Sequence, residues 1–173
     1  MDISLVSKDC IKLKGKKVNF IVDPKKDSPK TAADAILLTG GLDIDTSRVS
    51  DFRVVVRGSG EYEVSGSKVA SVSTPKGIIF KLSIDNLSII LGRSVDFSKL
   101  ESNFTACDIA IINADSEFNE SFITSLGPKI VVLYGDNKLD GAKKLGAENL
   151  TPVAKFSAVK DKLPEKMEIV VLG

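Results

Sequence analysis

The sequence predicts an α/β chain bordering on α+β: a sandwich of β-sheets with a few helices on the outside. Three observations lead there. Short apolar or alternating runs bounded by Gly, Pro, Asp or Asn fill the first half, as hairpin strands do. After Leu91 the runs become fully apolar and alternate with amphipathic stretches, the pattern of strands covered by helices. The chain has 173 residues with 43% hydrophobic content, enough for one core without disulfide or metal staples, so 1-173 is read as a single domain.

In chain order, Ile3 to Val6, Ile11 to Leu13 and Val18 to Val22 form an opening meander. Pro24 closes it, because proline has no N–H with which to continue a ladder. Gly15 and the lysines around it read as the polar tip of a hairpin. Ala35 to Leu38 and Val54 to Val56 are short apolar strands. Glu61 to Val64 and Lys68 to Val72 flank a Ser-Gly-Ser turn. Ile78 to Ile84 and Leu87 to Leu91 flank Asp85-Asn86, two residue types that tolerate the positive φ of a tight hairpin. Phe97 to Phe104 reads as a short helix capped by Asp96. Ile109 to Ile112, Ile130 to Leu133 and Ile169 to Leu172 are buried strands. Asn119 to Leu126 and Leu139 to Leu145 are helices stopped by Gly127-Pro128 and Gly146.

Composition excludes several functions. Lys+Arg 24 against Asp+Glu 23 gives a net charge of +1, so no bulk field draws the chain to nucleic acid or to a membrane surface. No apolar run approaches the roughly 20 residues that span a bilayer, and no secretory signal is visible; a cytoplasmic location is expected. The sequence has no histidine and two cysteines, Cys10 and Cys107, in unrelated apolar contexts. That rules out Ser-His-Asp and Cys-His chemistry and the usual zinc site of four N/S ligands. Glu61 and Glu63 alternate along a strand and read as a solvated face rather than an acid/base pair. Gly58-Ser59-Gly60 precedes a strand and reads as a turn, not a nucleotide loop.

Several segments, in order, carry a resemblance to a known family. They are Ile3 to Val6, Val18 to Pro24, Ala35 to Thr39, Gly58 to Val64, Ile89 to Gly92, Pro128 to Val132 and Leu163 to Leu172. Together the chain resembles the metallo-β-lactamase superfamily, nearest its small bacterial branch of lactonase-like zinc hydrolases. The resemblance spans nearly the whole chain and implies a four-layer αβ/βα sandwich with a metal site at the sheet edges.

The same resemblance marks what is missing. The family places Thr-His-x-His-x-Asp-His after the Ala35-to-Thr39 strand, where this chain reads Thr39-Gly40-Gly41-Leu42-Asp43-Ile44-Asp45. Gly40 and Leu42 stand for the first two histidines, Ile44 for the aspartate and Asp45 for the last histidine. Arg93 stands for the bridging aspartate, Gly135 for the final histidine and Lys8 for an earlier one. The implied protein has no metal and no cofactor. It is expected not to be an enzyme but a pseudoenzyme that binds or scaffolds, partnered by a second copy of itself or by an active paralogue. Two other readings stay open: an anion-binding module using Lys8, Arg93 and Gly40-Gly41 in the former metal cleft, and a hydrolase of altered mechanism. Against the anion site stands a plainer arrangement, in which Arg93 pairs with Asp45, or failing that with Asp43 or Asp23.

Overall fold

The computed structural model describes residues 1–97, 106–116 and 120–173. Fifteen strands and three α-helices appear among them. The first sheet contains β1 (Asp2–Ser7), β2 (Cys10–Lys14), β3 (Asn19–Val22), β5 (Ala35–Leu37), β7 (Val54–Val56) and β14 (Lys155–Ser157). Its spatial order is β14-β1-β2-β3-β5-β7, with β3, β5 and β7 parallel. A two-stranded ribbon of β4 (Thr31–Ala32) and β6 (Val49–Ser50) lies apart from it.

The second sheet contains β8 (Gly60–Val64), β9 (Ser67–Ser73), β10 (Ile78–Ile84), β11 (Leu87–Arg93), β12 (Ile109–Asn113), β13 (Ile130–Tyr134) and β15 (Glu168–Val171). Its order is β15-β13-β12-β11-β10-β9-β8. Strands β8 to β11 run as antiparallel hairpins; β11, β12, β13 and β15 are parallel. The helices are α1 (Ser94–Phe97), α2 (Glu120–Ser125) and α3 (Lys138–Lys144).

Alternation along the strands decides what each face does. Ile3, Leu13, Phe20 and Leu37 of the first sheet meet Leu82, Leu91, Ile111 and Val132 of the second in one buried cluster. The next residues along, Ile90, Ala110, Ile112 and Leu133, point outward and are covered by Phe97, Ile123 and Ala142 from the three helices. Central parallel strands buried on both faces account for the unbroken apolar runs in the sequence. The outer face of the first sheet is covered differently. Cys10, Ile21 and Ile36 pack under Ala33 and Val49 from the ribbon segment, so this fourth layer is thin.

The expected hairpins form, including the Asp85-Asn86 turn, with φ of 52° and 65°. Asp96 lies inside α1 rather than capping it, and residues 98–104 of the expected helix lie outside the described residues. Strand β14, which pairs with β1, was not visible in the sequence because Lys-Phe-Ser carries almost no apolar alternation. No described helix is long and apolar enough to cross a membrane.

Candidate functional site

Parallel strands deliver their carboxyl ends to one edge of each sheet, and loops leaving that edge are free to carry chemistry. In the second sheet, Arg93, Asn113 and Tyr134 stand in register at the last positions of β11, β12 and β13. Facing them from the first sheet are Asp23 and Lys25 after β3, and Thr39 to Asp43 after β5. The β1–β2 turn adds Lys8 and Asp9. Between the two edges lies a cleft of about 590 Å³, lined by Lys8, Asp9, Lys25, Arg93, Asn113 and Asp115 among others.

The cleft floor is hydrogen-bonded tightly. Asp23 takes a left-handed φ of 47° at the end of β3, which turns its carboxylate back to the neighbouring strand. There it accepts from the Thr39 backbone N–H at 2.8 Å and from the Thr39 hydroxyl. Burial pushes the Asp23 carboxyl above the usual range, against the pull of those two hydrogen bonds. Asp96 accepts from the Thr74 hydroxyl, while its second oxygen is buried without a partner; burial raises this carboxyl too. Gly77 is required here, since a side chain would meet Thr39 O and Asp96 Oδ2.

Arg93 is the cation that ties the loops together. Its Nε donates to Asp115 Oδ2 at 2.5 Å, its Nη2 lies 2.5 Å from the same oxygen, and its Nη1 donates to Gly40 O at 2.9 Å. The Ser94 hydroxyl donates to the other oxygen of Asp115 at 3.0 Å. The expected partner Asp45 is elsewhere. Its carboxylate accepts from Ser47 N at 3.0 Å and from the Ser47 hydroxyl at 2.6 Å, capping the 3-10 turn Thr46–Arg48. The Ser47 hydroxyl holds its carboxyl below the usual range. A local cap costs less chain ordering than a long-range pair, so Arg93 takes the strand-end Asp115 instead. Neither fallback partner closes a pair with it: Asp43 is exposed at the cleft lip, and Asp23 feels Arg93 only at a distance.

The remaining predicted positions divide in two. Leu42, Asp43, Arg93 and Lys8 line the cleft, with Leu42 82% exposed at its mouth, and Gly40 meets Arg93 through its carbonyl. Lys8 pairs with Asp136 at 3.0 Å in solvent. Ile44 is spent on a backbone bridge to Lys25. Gly135, at φ +90°, has Asn113 Oδ1 in the space a side chain would need. Sequence reading missed Asp9, Lys25 and Asn113, and took Thr39 only as the start of the substituted motif. The Asn113-Ala114-Asp115 run just past a fully apolar strand was the available signal for the second sheet's contribution.

These donors do not suit a zinc ion. Both oxygens of Asp23 and of Asp115 are engaged, and a guanidinium and an ammonium share the space, repelling a divalent cation. Burial raises the Cys10 thiol to about 11 and the Cys107 thiol to about 12, and the two sit in separate clusters. Among the described residues no group of three or more His, Cys, Asp or Glu could hold a metal.

The two packed sheets, the flanking helices and the carboxyl-edge cleft define the metallo-β-lactamase fold. In that fold the chain is similar to a protein named as a zinc-dependent hydrolase of the metallo-beta-lactamase superfamily from Thermotoga maritima, at TM-score 0.75 and 17% identity, covering 99% of this chain and 98% of that one. It is also similar to a protein named as a metal-dependent hydrolase from Parabacteroides distasonis (TM-score 0.56, 19% identity, 84% and 90% covered). A third is a diphosphatase from the PhnP family (TM-score 0.60, 12% identity, 96% and 82% covered). No protein-family model and no curated protein matches the chain. The expectation that the chain is not an enzyme is overturned by these neighbours, which are named as hydrolases and a diphosphatase. Lacking histidine removes one mechanism and does not by itself remove catalysis.

Proposed function

We propose that the chain is a hydrolase-type enzyme that binds a small anionic substrate in the sheet-edge cleft, using protein cations where its structural neighbours use metals. The observation that supports this is the entry of two cations, Lys25 from the first sheet and Arg93 from the second, into one cleft at the carboxyl edges. Lys25 has no carboxylate in ion-pair contact among the described residues; its ammonium donates to the Leu42 carbonyl. Arg and Lys neutralise a phosphate or carboxylate by charge-assisted hydrogen bonds. In a partly dry cleft the same donors stabilise charge that develops during bond cleavage. That one structural neighbour is a diphosphatase favours phosphate among the anions.

The test is thermal unfolding of the full chain with inorganic phosphate, pyrophosphate and phenyl phosphate, in EDTA throughout, with release of phosphate from the last two followed in parallel. A ligand at a hundred times its Kd adds about 2.7 kcal/mol to stability, so at least one of these anions should raise Tm by several degrees. Lys25→Ala should remove the shift, and EDTA alone should leave Tm unchanged, since no folding energy comes from a metal. Anion binding that appears only when zinc or manganese is added, or no binding at all, overturns the reading.

A further inference from the structure

The cleft also holds acceptors that lack donors. Asn113 is 4% exposed, lines the cleft, and has no hydrogen-bond partner for Oδ1. Its amide lies beside the Asp9 carboxylate. Asp9 is only partly exposed, and among the described residues no cation closes an ion pair with it. The nearest candidate in sequence, Lys8, is taken by Asp136. Lys25 attracts Asp9 across the cleft without reaching it. One uncompensated cation and one uncompensated carboxylate therefore face the same space, and beside the carboxylate an amide oxygen waits for a hydrogen.

We propose that Asp9 and Asn113 form an acceptor subsite for the primary ammonium of a small zwitterion, whose anionic end lies at Lys25. This rests on the anion-binding reading of the cleft and adds the second pole of the ligand. An ammonium carries three donors and one positive charge. It can donate to the Asp9 carboxylate and to Asn113 Oδ1 together, supplying both the charge and the hydrogen that the subsite lacks. A neutral hydroxyl would leave the carboxylate uncompensated, and a divalent cation would find only three oxygens, with a lysine facing them. Burial raises the Asp9 carboxyl, and an ammonium bound beside it would favour the ionised form. The Gly135 backbone keeps the subsite in place, because any side chain there would displace Asn113 Oδ1.

The experiment is calorimetric titration of the full chain with matched probes, 3-aminopropyl phosphate against propyl phosphate, alongside the 2-aminoethyl and 4-aminobutyl homologues. The best amine should bind at least roughly tenfold tighter than its alkyl counterpart, one charge-assisted hydrogen-bonded contact being of that order. The Asp9→Asn variant should reduce the ratio to within about twofold. If that variant does not fold, 3-acetamidopropyl phosphate on the unmodified chain does the same work, and should lose the amine's advantage. Equal affinity for amine and alkyl probes, or for amine and acetamide, overturns the acceptor subsite while leaving the anion reading standing. Binding of no probe overturns both.

Discussion

Arg93 and Asp115 are about four-fifths buried, and each holds the other's charge. Arg93→Ala strands a carboxylate that keeps only the Ser94 hydroxyl, and should cost about 2 kcal/mol. Asp115→Ala in that background should recover part of it, whereas Asp45→Ala should be additive with Arg93→Ala; chemical denaturation of the four proteins decides. Asp96 behaves in the opposite sense. Its folded carboxyl lies above the usual value because burial disfavours the charge, so the native state binds a proton that the unfolded state has released. Its contribution to stability is therefore greatest in acid, and is lost as pH rises from the ordinary carboxyl value through the raised one. Asp96→Asn keeps the acceptor for the Thr74 hydroxyl without the charge. It should raise stability at pH 7 by on the order of 1 kcal/mol and flatten that slope, measured by denaturation from pH 4 to 8. The resemblance drew attention to positions 45 and 93 as a carboxylate and a guanidinium that could meet. The actual pairing was not legible, because Asp45 is followed two residues later by Ser47, and a cap two residues away outcompetes a partner across the sandwich.

At the level of elements, the hairpins and buried strands were readable because period and punctuation agree. Asp85 and Asn86 both sit at positive φ, the geometry a two-residue turn demands. Asn86→Val should cost about 1–2 kcal/mol, since a β-branched side chain opposes that backbone, and Asn86→Gly should be tolerated. Urea midpoints would show the difference. The same turn does a second job. Asp85 accepts from Lys16 N at 3.0 Å, and Gly15 lies so near Ile84 that a Cβ there would be 2.6 Å from it. Turns from the two sheets thus lock together, a contact no local pattern announces. The ribbon of β4 and β6 and the strand β14 escaped notice for a related reason: a run of two or three residues becomes a strand only when a neighbour offers a ladder.

For the molecule as a whole, the fold class followed from alternation, hairpins and length, while the site depended on which strands lie side by side. Arg93, Asn113 and Tyr134 share a row only because β11, β12 and β13 are adjacent and parallel, and that order cannot be read from any one segment. The packing of that row also restricts how the protein can change. Asn113 fills the space beside Gly135, and Gly40 is pressed against Gly77 and the Lys76 carbonyl, so two of the positions that the resemblance assigns to histidines are closed. Gly135→His alone should unfold the edge at a cost of several kcal/mol, whereas Asn113→Gly made first should lessen that penalty by opening the space, as melting of the single and double variants would reveal. The left-handed backbone at 135 would still resist a side chain. Introducing a histidine at position 135 therefore has an order, and a path that begins there rather than at Asn113 passes through a protein less able to fold.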